Sequence, residues 1–110
     1  MQSSIEHPEK IDLITADPVS GEYALIISAT GNWEDSEEEQ ALLLQKINNY
    51  LNFIIDGDLA QHYPQTRGMP TRIQIDSSTN IPKNIECLIL QAQELILQHD
   101  IKLCINLLRQ

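Results

Sequence analysis

Positive charge is what this sequence has least of. Seven lysines and arginines stand against sixteen aspartates and glutamates, a formal net charge of −9 over 110 residues. Affinity for phosphate backbones comes from Lys and Arg, so the shortage argues against a nucleic-acid partner. There are two cysteines, Cys87 and Cys104, with no second Cys or His pair at metal-ligand spacing. They read as reduced thiols, and neither a disulfide framework nor a zinc site is expected. The four glycines, at 21, 31, 57 and 68, are too scattered to write a phosphate-binding loop or a dinucleotide fingerprint. No apolar run approaches the roughly 20 residues of a membrane span. The opening Met1-Gln2-Ser3-Ser4-Ile5-Glu6 lacks both the basic region and the apolar stretch of a secretion signal. We therefore expect a cytoplasmic protein that uses no cofactor and no membrane.

What is present suffices for one folded unit, since 42 % of the residues are hydrophobic. Residues 1–9 are polar and aperiodic, with His7-Pro8 forbidding a continuous element, and read as a flexible N-terminus; residues 10–110 form a single domain. Ile11 to Ala16 and Glu22 to Thr30 are rich in β-branched and aromatic residues, and Asp17-Pro18-Val19-Ser20-Gly21 supplies a turn between them. The second of these strands is apolar on both faces, which predicts a position inside a sheet. From Asp35 the period lengthens: Leu43, Leu44, Ile47, Tyr50, Leu51 and Ile54 mark a helix to about Ile55, with Asp35 or Ser36 as cap and Asp56-Gly57-Asp58 as stop. Residues 59–70 form a connection with room for one helical turn. Thr71 to Asp76 alternates as a half-exposed strand, and Pro82 opens a helix with Ile85, Leu88, Ile89, Ala92, Leu95 and Ile96 on one stripe. Ile101 to Leu108 alternates again, with Ile101, Leu103, Ile105 and Leu107 inward. The expectation is an α+β fold, a ββαβαβ two-layer sandwich with a four-stranded mixed sheet and two helices on one face.

Charge is unevenly placed. Twelve acidic residues lie in the first 58 positions against Lys10 and Lys46 alone, a net of −10, while the remainder has five basic residues against four acidic ones, a net of +1. A one-sided field of this kind steers basic molecules in and repels polyanions. The densest part is Glu34-Asp35-Ser36-Glu37-Glu38-Glu39, directly after Trp33, the single tryptophan. Acidic residues suit the first turn of a helix, where free N–H groups and the helix dipole favour negative charge. An aromatic anchor ringed by carboxylates also has the composition of a docking site for a basic protein. The partner-binding candidates are Trp33, Glu34, Asp35, Glu37, Glu38 and Glu39, with Asp56 and Asp58 if the far end of the helix is included.

Two further surfaces qualify. Cys87, Leu90, Glu94 and Leu97 fall on the side of the second helix away from its main stripe, a candidate seam for a homodimer. The open sheet face, around Asp12, Arg72, Asp76, Lys102 and Cys104, is a candidate small-ligand site. Asp56-Gly57-Asp58 opens like a calcium loop, but Gln61 stands where its glycine belongs and Arg67 where its bidentate glutamate belongs. His62-Tyr63 reads as a loop anchor. No nucleophile has a base at a recognisable local spacing, and no catalytic or metal site is expected.

Several signals recur together: Ile11-Asp12, Gly21-Glu22, Trp33 before an acidic helix start, Leu43-Leu44, Tyr50-Leu51-Asn52-Phe53-Ile54, the Gly57 stop, Tyr63-Pro64 and Ala92. In this combination the chain resembles an uncharacterised bacterial family of small α+β proteins, a domain of unknown function. The resemblance implies the fold and transfers no catalytic residue. In general character, small, acidic and without an active-site pattern, the chain is also similar to toxin-immunity proteins. The expected function is a non-enzymatic protein-binding module, most concretely an immunity protein neutralising a basic bacterial toxin. The alternatives are a homodimeric structural or regulatory protein, or a small-ligand binder.

Overall fold

The computed structural model describes residues 11–29 and 31–108; residues 1–9, expected to be flexible, lie outside that range. The order is β1 (Leu13–Ala16), β2 (Tyr23–Ala29), α1 (Glu37–Ile55), α2 (Asp58–His62), a 3-10 turn at Pro64–Thr66, β3 (Thr71–Ser77), α3 (Lys83–Leu97) and β4 (Lys102–Leu107). The four strands form one sheet in the order β1-β2-β3-β4, antiparallel between β1 and β2 and parallel across the other two pairs.

The hairpin is closed by Asp17, whose Oδ1 accepts the backbone N–H of Val19 at 2.9 Å and of Ser20 at 3.4 Å. Gly21 completes the turn at φ 76°, in the left-handed region that glycine tolerates without strain. β2 then lies between β1 and β3, the interior place that its two-sided apolar pattern predicts. The units β2-α1-β3 and β3-α3-β4 are successive parallel crossovers stepping in one direction. Crossovers of a single hand place their helices on the same side of the sheet.

The core fills the space between that side and the helices. Leu25, Ile27, Ile73, Ile75 and Leu103 of the sheet meet Leu43, Ile47 and Tyr50 of α1 and Ile85, Ile89, Ala92 and Ile96 of α3, all buried. The ββαβαβ order and the α+β class agree with expectation. The short α2 and the 3-10 turn occupy the connection where one helical turn was expected.

Three local departures have physical causes. β1 starts at Leu13 and not Ile11, because the side chains of Asp12 and Tyr50 replace the next rung of the ladder. α1 starts at Glu37 because Ser36 is its cap. Ile105 and Leu107 share the face of Leu103, as alternation requires, yet they are 37 % and 50 % exposed, because β4 is an edge strand that α3 covers over only part of its length.

Candidate functional site

The amino end of α1 is a closed capping arrangement. Ser36 Oγ accepts the N–H of Glu39 at 3.1 Å. The Glu39 carboxylate turns back and accepts the backbone N–H of Glu34, at 3.0 and 3.1 Å, and of Asp35 at 2.8 Å. Asp35 takes the left-handed backbone at φ 55°, which lets the chain fold back over the helix start. Glu39 is therefore 1 % exposed and serves the cap, a correction to its expected place in a binding surface. The Ser-Glu-Glu-Glu order is the capping-box signature, and this was the signal in the sequence that could have found it.

Trp33 is a second correction. Its ring is half-buried against the core, and its Nε1–H donates to Ser77 Oγ at 3.0 Å, while that hydroxyl donates to the Thr79 carbonyl at 2.6 Å. The indole locks the loop before α1 onto the end of β3, so it stands as a support for the acidic segment and not as a free anchor.

Four of the candidates stay together at the surface: Glu34, Asp35, Glu37 and Glu38 are all exposed around the first turn of α1. Asp35 accepts the side-chain amide of Asn84 at 3.3 Å, which ties this end of α1 to the start of α3. Between the two helices runs an open groove of about 450 Å³, lined by Asp35, Glu37, Gln40, Asn84, Cys87, Leu88 and Gln91. Asp56 and Asp58 are exposed at the other end of α1, a 19-residue helix and so roughly 28 Å long at ~1.5 Å per residue. They belong to a different surface.

Two of the remaining described carboxylates of the first half, Asp12 and Glu22, are met by the chain's own cations. Asp12 pairs with Lys46, Oδ1 to Nζ 3.1 Å. Glu22 pairs with Arg72 and, at 3.7 Å, with Lys102. The hydrogen bond that Arg72 donates to the Glu22 carboxylate holds its guanidinium above its ordinary pKa. Asp17, partly exposed, is held below the usual carboxylate range by the N–H groups of Val19 and Ser20. Among the described residues the densest group of exposed carboxylates is thus the cluster at the start of α1, with Asp56 and Asp58 at its far end.

The open sheet face is not assembled as expected. Asp12 is on the helix side: Lys46 reaches it from α1, its Oδ2 accepts the Ser28 N–H at 3.1 Å, and its own N–H donates to the Tyr50 hydroxyl at 2.9 Å. That hydroxyl donates in turn to the Ile26 carbonyl at 2.8 Å. Arg72, Asp76, Lys102 and Cys104 do share the open face, where Gln74 links Arg72 (3.1 Å) to Asp76 (2.7 Å) and Asn106 donates to Asp76 at 3.1 Å. These polar groups are engaged with one another. Burial pushes the Cys104 thiol up, which keeps it protonated and a weak nucleophile. The parallel strands succeed one another without a reversal of order, so the sheet forms no switch-point crevice of the kind in which open α/β sheets bind ligands. A cleft of about 510 Å³ does open at the other end of the strands, lined in part by Glu22, Met69, His99, Asp100 and Lys102. His62 stacks on Phe53 with ring centres 6.1 Å apart and planes 4° from parallel; it is the last residue of α2 and exposed, a correction to the loop anchor expected of it. Among the described residues no group of three or more His, Cys, Asp or Glu is placed to hold a metal ion, and no helix is long and apolar enough to cross a membrane.

The model of a family of unknown function, DUF6572, matches residues 3–109. The chain belongs to this family. Comparison with curated proteins and with solved structures found no match. Membership covers nearly the whole chain and agrees with the expected domain of unknown function.

Proposed function

We propose that this protein is a non-enzymatic binding module that recognises a basic protein through Glu34, Asp35, Glu37 and Glu38 and the groove beside them. In its most concrete form it is a cytoplasmic immunity protein neutralising a basic bacterial toxin. One observation carries the reading: these four carboxylates stand exposed together on one helix end, while Lys46, Arg72 and Lys102 are engaged with Asp12 and Glu22. Carboxylates held by a rigid cap present their charge without further ordering, which favours fast, salt-sensitive association. Asp35 and Glu37 on the groove wall would receive lysine or arginine side chains, with Leu88 on its floor as apolar contact.

The test is retrieval of binding proteins from the native host on the immobilised chain, beside a Glu34→Lys/Glu37→Lys/Glu38→Lys variant. The reading expects a basic protein on the wild type, absent from the variant, whose toxicity the wild type relieves. Equal retrieval on both chains would refute it.

A further inference from the structure

We infer, resting on the acidic contact proposed above, that the groove between α1 and α3 seats a basic amphipathic helix of the partner, with its lysines or arginines at the acidic end and its aliphatic side chains further along. At ~100° per residue Glu37, Gln40, Leu44 and Leu51 lie within about 60° of one another on α1, and Asn84, Leu88, Gln91 and Leu95 do so on α3. The two rows face each other: Asp35, just before α1, accepts from Asn84, and Glu37, Gln40, Leu88 and Gln91 line one groove. α1 and α3 run in the same direction, because each returns between parallel strands of one sheet. Both walls therefore change in step, from carboxylate and amide at the start to leucine further on.

Leu44 is 38 % and Leu95 63 % exposed, on the walls above Leu51 and Leu88, which pack against the core and are only partly covered. These leucines continue the groove past its carboxylates, since residues three and four apart on a helix are surface neighbours. From Asn84 to Leu95 the α3 row spans roughly 16 Å, about three turns of an incoming helix. A helix also suits the backbone. α1 and α3 use their own peptide groups within their turns, so an extended segment laid between them would find no ladder, whereas a helix brings its backbone bonds with it.

Charge selects the sign of that helix. The groove is lined by two carboxylates, Asp35 and Glu37, and among the described residues by no lysine or arginine. Exposed Glu34 and Glu38 stand beside its mouth, and exposed Glu94 is the neighbour of Gln91 one turn on. A second copy of this chain would bring a net charge of −9 against them, so the field admits a cationic helix and repels self-association here. Leu90 and Leu97, of the homodimer seam expected on α3, are exposed too but lie about 130–150° round the helix from this row, on the side where Gln93 donates to the Leu103 carbonyl. Cys87, expected with them, lines the groove instead.

Fluorescence anisotropy on the full-length chain tests this with a labelled leucine–lysine peptide of about five helical turns, patterned as an amphipathic helix, beside a scrambled peptide of the same composition. The patterned peptide should bind with a micromolar Kd and the scrambled one at least tenfold more weakly. Leu44→Ser/Leu95→Ser should weaken the patterned peptide at least tenfold with the circular dichroism unchanged, while Leu90→Ser/Leu97→Ser should bind it as wild type does. On the wild type, bound peptide should slow the alkylation of exposed Cys87, at the groove wall, at least fivefold and leave that of Cys104 unchanged. Equal binding of the two peptides, an equal affinity in the two double variants, or Cys87 alkylated at its free rate overturns the inference. A wild-type dimer that Leu44→Ser/Leu95→Ser dissolves would give the groove to a second copy and equally overturn it. The leucine variants keep all four carboxylates, so the acidic site can pass its own test while this one fails.

Discussion

Lys46→Met should be among the most damaging single changes outside the apolar core. The Lys46 side chain is fully buried, and its ammonium lies 3.1 Å from Asp12, itself 15 % exposed, and 5.6 Å from the centre of the Tyr50 ring. Methionine keeps most of the volume and removes the charge. The Asp12 carboxylate then retains the Ser28 N–H but has lost its cation in a site with little water. Breaking a buried pair costs about 3–5 kcal/mol, and the remaining solvent contact of Asp12 lowers this to about 2–4 kcal/mol. Against a total of roughly 5–15 kcal/mol, such a loss is easily measured. Replacing both partners, Asp12→Asn with Lys46→Met, should cost less than Lys46→Met alone, because no bare charge remains and asparagine can still accept from Ser28. Urea unfolding followed by the fluorescence of Trp33 and by circular dichroism gives both numbers from the shift in midpoint at constant slope. A loss below about 1 kcal/mol for Lys46→Met, or strict additivity in the double variant, would refute the argument.

Other consequences follow from the same geometry. Tyr50→Phe leaves the Asp12 N–H and one interaction of the Ile26 carbonyl unmade and should cost about 1–3 kcal/mol. Burial raises the Tyr50 phenol above its ordinary pKa, so its contribution is complete below about pH 10 and drains away at higher pH; the wild type should lose stability there more steeply than Tyr50→Phe. Glu39→Ala should cost about 2 kcal/mol by uncapping α1, while Glu37→Ala and Glu38→Ala stay within about 0.5 kcal/mol of wild type, a contrast that urea midpoints will show. Iodoacetamide should modify exposed Cys87 well before Cys104, whose thiol is half-buried and held protonated; mass spectrometry at short times reads the order, and equal rates would contradict the burial argument.

Elements were more legible in the sequence than the surfaces they make. Alternation placed Arg72, Gln74 and Asp76 on the open face, and the helical period found most of the buried stripes of α1 and α3, because both signals follow from backbone geometry alone; Leu44 and Leu95, which the same spacing puts on those stripes, lie at their margins and are 38 % and 63 % exposed. The fate of individual charges depends on what crosses from another element. Asp12 shares a strand face with Ile14, and Lys46 lies within the apolar stripe of Leu43, Ile47 and Tyr50; the two oddities explain each other only once α1 lies under β1. Glu39 has the composition of an exposed acid, and only its place three residues after Ser36 marks it as part of the cap. Ile105 and Leu107 show the converse limit, since alternation identifies a face and not whether anything covers it.

The central claim is that the carboxylates at the start of α1 steer a cationic protein onto this chain. Stopped-flow association of the retrieved partner with wild type and with Glu34→Lys/Glu37→Lys/Glu38→Lys, at low and at physiological salt, measures this directly. The account predicts at least a tenfold slower association for the variant at low salt, with the salt dependence largely gone. Association at the wild-type rate, equally sensitive to salt, would contradict it.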